Sequence, residues 1–149
     1  MKKKGLAWWL WVLIIGIVVF GLIQLVPYGK NLTNPPVVNE PKWDSSATAA
    51  LVKASCYDCH SNETHHPWYS KVAPASWLLQ HDVDEGRAFL NFSEWPTDPD
   101  IQKIKIAQIE EVLGEGDMPP IQYTLIHPES KLSAEQVSQV LSSLQASIQ

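Results

Sequence analysis

Three residue types are scarce in this chain of 149 residues: it has two cysteines, two methionines and, at Arg87, one arginine. Other patterns are missing altogether. No run of strand length alternates apolar and polar residues, which argues against a sheet, and no segment repeats. No general base, nucleophile or substrate pocket stands out, so an enzyme is not expected. Basic residues are few after residue 30, where seven face sixteen acidic ones for a net of −9, and that balance argues against nucleic acid as a partner. The scarcity of cysteine narrows the metal chemistry as well. Both cysteines lie in one short run, so a zinc site would have to draw on His65 and His66, too close to the pair for an ordinary finger. A disulfide redox motif would sit beside a βαβ pattern, and none surrounds it.

That run is Cys56-Tyr57-Asp58-Cys59-His60. It reads C-x-x-C-H, the attachment signature of a c-type haem. Two thiols three residues apart can both reach the vinyl groups of one porphyrin edge. The histidine that follows is then held under the iron, so His60 is the expected first axial ligand. Of the two methionines, Met1 lies in the basic N-terminal tip, which leaves Met118 in Gly116-Asp117-Met118-Pro119-Pro120. Proline stiffens that loop and disfavours helix continuation. A thioether binds iron weakly and needs such restraint, so Met118 is the expected second ligand. His65 and His66 follow His60 too closely to reach the opposite haem face. His81, on a helical pattern, remains the histidine alternative, and His127 reads as solvated. Expected iron ligands are thus His60 and Met118, and expected cofactor-binding residues are Cys56, Cys59, His60 and Met118. The His60 ring should donate its other nitrogen to a backbone carbonyl, for which Pro67 and Pro74 are candidates. Trp68, Tyr69, Trp77 and Trp95 are candidates to line the haem cavity, each against the plainer reading of core packing. Arg87 is set to pair with a haem propionate or with a nearby carboxylate such as Asp84.

The N-terminus has a different character. Lys2, Lys3 and Lys4 form a basic tip, and no charged residue occurs from Gly5 to Pro27. Leu6–Val26 gives 21 residues, ~31 Å as a helix, enough to cross a hydrocarbon core. No small-x-small site follows Val26, which argues against a cleaved signal. The expectation is an uncleaved signal-anchor over residues 1–30, single-pass in the inner (cytoplasmic) membrane, with the N-terminus cytoplasmic and the haem domain periplasmic. Residues 31–42, with Pro35, Pro36 and Pro41, read as a linker.

Residues 43–149 carry four helical patterns. Asp44 or Ser45 caps the first, which runs to about Ser55. A second covers Ala75 to about Phe89. Asp98 caps a third, with Pro99 at its first position and Gly114 and Gly116 at its end. Ser133 and Gln136 open the last with a capping box.

Several stretches together carry a family resemblance: Cys56 through Thr64, Pro67 through Pro74, Asp82 through Arg87, Leu90 through Trp95 and Gly116 through Pro120. Residues 43–145 resemble the small haem-binding domain of membrane-anchored, single-haem c-type cytochromes of bacteria. Such domains often carry a basic residue after the position of Thr64, where this chain has His65. The resemblance implies a cytochrome c-like, mainly α-helical fold around one covalent haem c, with thioethers at Cys56 and Cys59, His60 proximal and Met118 distal. The combined expectation is an electron carrier attracted to a redox partner, in or at the membrane, that presents a basic face. The alternative is a haem-based sensor or peroxidase-like protein with an exchangeable sixth ligand.

Overall fold

The computed structural model describes residues 7–148. Among them are seven α-helices, two short 3-10 turns and no strand. The helices are α1 (Trp8–Ile23), α2 (Ser46–Ser55), α3 (Tyr57–His60), α4 (Ala75–Phe89), α5 (Pro99–Glu115), α6 (Ile121–Ile126) and α7 (Ala134–Ala146). Contacts group the chain into two units. Among the described residues, one comprises 7–33 with His66–His81, and the other Asn34–His65 with 82–148. The first half of α4 belongs to the former and the second half to the latter.

The helical class follows the sequence, but the membrane span does not. Helix α1 has 16 residues, ~24 Å at 1.5 Å per residue, and among the described residues no helix is long and apolar enough to cross a membrane. The expected transmembrane helix over Leu6–Val26, and the single-pass inner-membrane placement built on it, are therefore corrected. The physical reason lies at Gln24. There the backbone tightens into i→i−3 bonds, with Gln24, Leu25 and Val26 donating to Gly21, Leu22 and Ile23 at 3.2, 3.0 and 3.3 Å. The Gln24 amide then reaches Ala73: Nε2 donates to its carbonyl at 3.0 Å, and its N–H donates to Oε1 at 2.9 Å. Pro27 has no N–H with which to extend the helix. Lys2, Lys3, Lys4 and Leu6 lie outside the described residues.

The second unit holds the larger core. Val52 of α2, Tyr57 of α3, Ile106 and Ile109 of α5, and Val140 and Leu144 of α7 pack with Leu90, Phe92 and Trp95. Their helices begin where the capping residues dictate. Ser45 accepts from the Thr48 N–H, and Asp98 accepts from Asp100 and Ile101. Both halves of the Ser133–Gln136 capping box are formed. Gly116 ends α5 at φ 78°, a left-handed conformation that glycine adopts without a Cβ clash. Residues 34–42 form no helix. Val38 and Asn39 donate to the Ser93 carbonyl, and Trp95 donates to the Asn39 carbonyl. Tyr57, Phe92 and Trp95 stack nearly parallel in one column, with ring centroids 5.5 and 5.9 Å apart. Tyr57, one of the two residues between the cysteines, is thus rooted in the core.

Candidate functional site

Helix α2 delivers the chain into α3, which is the C-x-x-C-H run itself. The N–H groups of Cys59 and His60 both donate to the Cys56 carbonyl, at 3.3 and 2.9 Å. This single turn puts Cys56, Cys59 and His60 on the wall of one cavity of about 230 Å³. Met118, Pro119 and Pro120 line the same cavity, although 58 residues separate His60 from Met118. A smaller cavity of about 60 Å³ shares Cys56, His60, Phe89 and Met118 with the first. Its remaining wall is apolar, with Phe92, Ile109, Leu113 and Val140 among the side chains. The four expected cofactor-binding residues are therefore brought together. Of the five histidines, only His60 lines either cavity.

The His60 ring is fixed from behind. Its Nδ1 lies 2.9 Å from the Gly86 carbonyl and 3.1 Å from the Leu90 carbonyl. Carbonyls only accept, so Nδ1 carries the proton and the lone pair resides on Nε2. Burial holds the imidazole below its ordinary pKa, against the two carbonyl bonds that favour its charged form. A neutral ring with Nε2 unprotonated is the form that ligates a metal. The carbonyls come from the last turn of α4 and its exit, not from Pro67 or Pro74. Gly86 makes that approach possible: a Cβ there would lie 2.6 Å from the Cys59 carbonyl oxygen. Gly86 lies in the stretch from Asp82 through Arg87 that carries the family resemblance, but sequence reading assigned it no role; its local signal is a glycine inside an otherwise helical pattern.

Burial pushes both thiols up to about 12, helped at Cys56 by its neighbour Cys59 and at Cys59 by the charges of Asp82 and Asp58. Neither cysteine is in a disulfide. Such thiols are poor nucleophiles near neutral pH, which does not suit redox exchange.

The loop after His60 is held by a polar network. Asn62, buried, donates through Nδ2 to the Pro36 carbonyl at 2.8 Å and to Glu94 at 3.0 Å, and accepts from Asn91 at 2.9 Å. Arg87 donates from Nε to the Ser61 carbonyl at 2.8 Å and from its terminal nitrogen to Asn34 and Thr64 at 2.9 and 3.0 Å. Its planar fork thus clamps this loop. The aromatic candidates are placed differently from expectation. Trp68, Tyr69 and Trp77 are not among the cavity-lining residues, and Trp68 is 79% exposed. Trp95 is buried in the aromatic column. Tyr123 of α6, which the sequence did not single out, lines the main cavity and donates to Asp58 at 2.7 Å.

The sequence model of the haem-binding domain family matches residues 18–146, nearly the whole chain. The chain belongs to that family and is a haem protein. No curated protein matches it, and no solved structure does.

Proposed function

We propose that this haem-binding chain carries one covalent haem c and passes single electrons between protein partners, with His60 and Met118 as axial ligands. The observation that carries the reading is the shared cavity of Cys56, Cys59, His60 and Met118, with the His60 ring locked through Nδ1. A haem bound there supplies a reversible one-electron couple. The Cys56 and Cys59 thiols would hold it, each by addition across one vinyl double bond with no leaving group. His60 presents Nε2, and Gly86 and Leu90 keep that nitrogen aimed. Met118 presents a thioether from a loop stiffened by two prolines, and thioether ligation raises the reduction potential. The apolar side chains of the wall favour the less charged reduced state. The acidic balance of residues 31–149 suits a partner with a basic face.

A pyridine haemochrome assay with a reduced-minus-oxidised spectrum tests the cofactor. The expected result is the spectrum of haem with both vinyl groups saturated, retained after acid–acetone extraction. Haem that extracts freely would sink covalent attachment. The second reading, a sensor or peroxidase-like protein with an exchangeable sixth ligand, has one observation in its favour: Met118 is 38% exposed. Carbon monoxide separates the two. Slow or absent binding to the reduced protein supports electron transfer, and rapid binding at neutral pH supports the second reading.

A further inference from the structure

We infer that Tyr123 is a positioning residue that holds the Met118 loop over the cavity through Asp58. The inference rests on the axial reading proposed above and adds what keeps the second ligand in place.

Tyr123 Oη donates to Asp58 Oδ2 at 2.7 Å across 65 residues of chain. Each partner sits close to one proposed ligand. Asp58 lies between the two cysteines, two residues before His60. Tyr123 lies five residues after Met118, in the first turn of α6, where its N–H donates to the Pro120 carbonyl at 3.0 Å. Both side chains line the main cavity beside His60 and Met118. One hydrogen bond therefore joins the segment bearing the histidine to the segment bearing the methionine.

The Asp58 end is rigid. Its other carboxylate oxygen accepts from the His65 N–H at 2.9 Å, and its carbonyl accepts from Thr64 Oγ1 at 2.8 Å. The Thr64 hydroxyl in turn accepts from Arg87 at 3.0 Å. At the Met118 end this bond acts on an exposed segment. Helix α6 buries none of its residues, and Ile121 and Leu125 are 74% and 77% exposed. The Tyr123 ring stacks on His127 at 4.6 Å. A hydrogen bond to a charged acceptor adds directional hold across the two segments. A thioether ligand competes poorly with water and added ligands once it swings away. Loss of this tether must therefore show first as easier opening of the sixth position.

The test uses the full-length holoprotein in the ferric state, with imidazole as the probe and stopped-flow rates expressed per haem. Imidazole binds only after Met118 leaves, so its rate reports the open population. Tyr123→Phe keeps the ring and its stack but removes the donor. It is expected to raise the rate roughly ten- to a hundredfold, the weight of one hydrogen bond to a charged group. Asp58→Asn keeps an acceptor without the charge and should give a smaller rise. The double variant should be no faster than Tyr123→Phe alone, because once the donor is gone the charge of its acceptor no longer matters. Wild-type rates in both single variants would overturn the inference, including the case where Tyr123→Phe lowers the thermal midpoint without changing the rate. A wild-type protein that lacks the thioether-to-iron charge-transfer band in the far red would overturn the axial reading itself, and the wild-type spectrum shows that before any variant is made.

Discussion

Gly86→Ala adds one methyl group at the point where α4 meets the C-x-x-C-H turn. Its Cβ would stand 2.6 Å from the Cys59 carbonyl oxygen, 3.0 Å from the carbonyl carbon and 3.1 Å from the Cys59 Cβ. The first two obstacles are backbone and cannot swing aside. Reaching even 3.0 Å from the oxygen requires α4 and α3 to part by about 0.4 Å, and overpacking of this kind costs ~1–3 kcal/mol. Alanine regains ~1 kcal/mol in helix propensity, so the net loss is up to ~2 kcal/mol. In a chain of this size that lowers the thermal midpoint by up to ~8 °C. Gly114→Ala is the control with the opposite sign. It lies in α5 with nothing within 4 Å of the added Cβ, so only propensity acts and the midpoint should hold or rise. The same 0.4 Å displacement moves the Gly86 carbonyl relative to His60 Nδ1, so Gly86→Ala should also reduce haem incorporation during expression. Circular dichroism melting of the three proteins, with haem content measured alongside, decides the matter. If Gly86→Ala melts at or above Gly114→Ala, the close approach is not what makes glycine necessary there.

Met118→Ala should lose the thioether-to-iron band and lower the reduction potential in a spectroelectrochemical titration; if both stay at wild-type values, a histidine becomes the leading sixth ligand. Asn62→Ala removes three hydrogen bonds from a buried amide and strands the Asn91 amide, a loss of ~2–3 kcal/mol. The urea midpoint should fall by ~1 M at unchanged slope, and an unmoved midpoint would refute the network's weight. In protein made without haem, thiols raised to about 12 leave a thiolate fraction on the order of 10⁻⁴ at pH 8. Iodoacetamide alkylation should then climb about tenfold per pH unit past pH 10, whereas levelling near pH 9 would mean ordinary thiols.

Local signals were legible in the sequence because local chemistry determines them. Ser45, Asp98, Ser133 and Gly116 mark helix ends through bonds made within a few residues, and the structure uses all four. The N-terminal helix was misjudged because its boundary depends on a distant partner. Apolar length alone carries Leu6–Val26 across a bilayer, but the Gln24 amide engages the backbone of Ala73, 49 residues on, and the helix stops. Helix α6 was missed for another reason. Six residues after two prolines give too little periodicity to read, and none of them is buried.

The site divides along the same line. Cys56, Cys59 and His60 were proposed from the spacing of one short motif and Met118 by elimination among two methionines, and the structure places all four on the wall of one cavity. The residues that aim those ligands were not legible, because a backbone carbonyl has no sequence signature. His60 is oriented by the carbonyls of Gly86 and Leu90, and any residue type supplies a carbonyl. What the sequence does encode is the permission to approach: position 86 must lack a Cβ for α4 to reach the motif. Tyr123 follows this logic in reverse. Its bond to Asp58 depends on side-chain chemistry at both ends, but on a pairing across 65 residues that only the fold creates. The proposed ligands in this chain are thus marked by local sequence, and their positions are set by contacts between distant segments. A change at Gly86 or Tyr123 should therefore alter how the iron site behaves while leaving its ligand set intact.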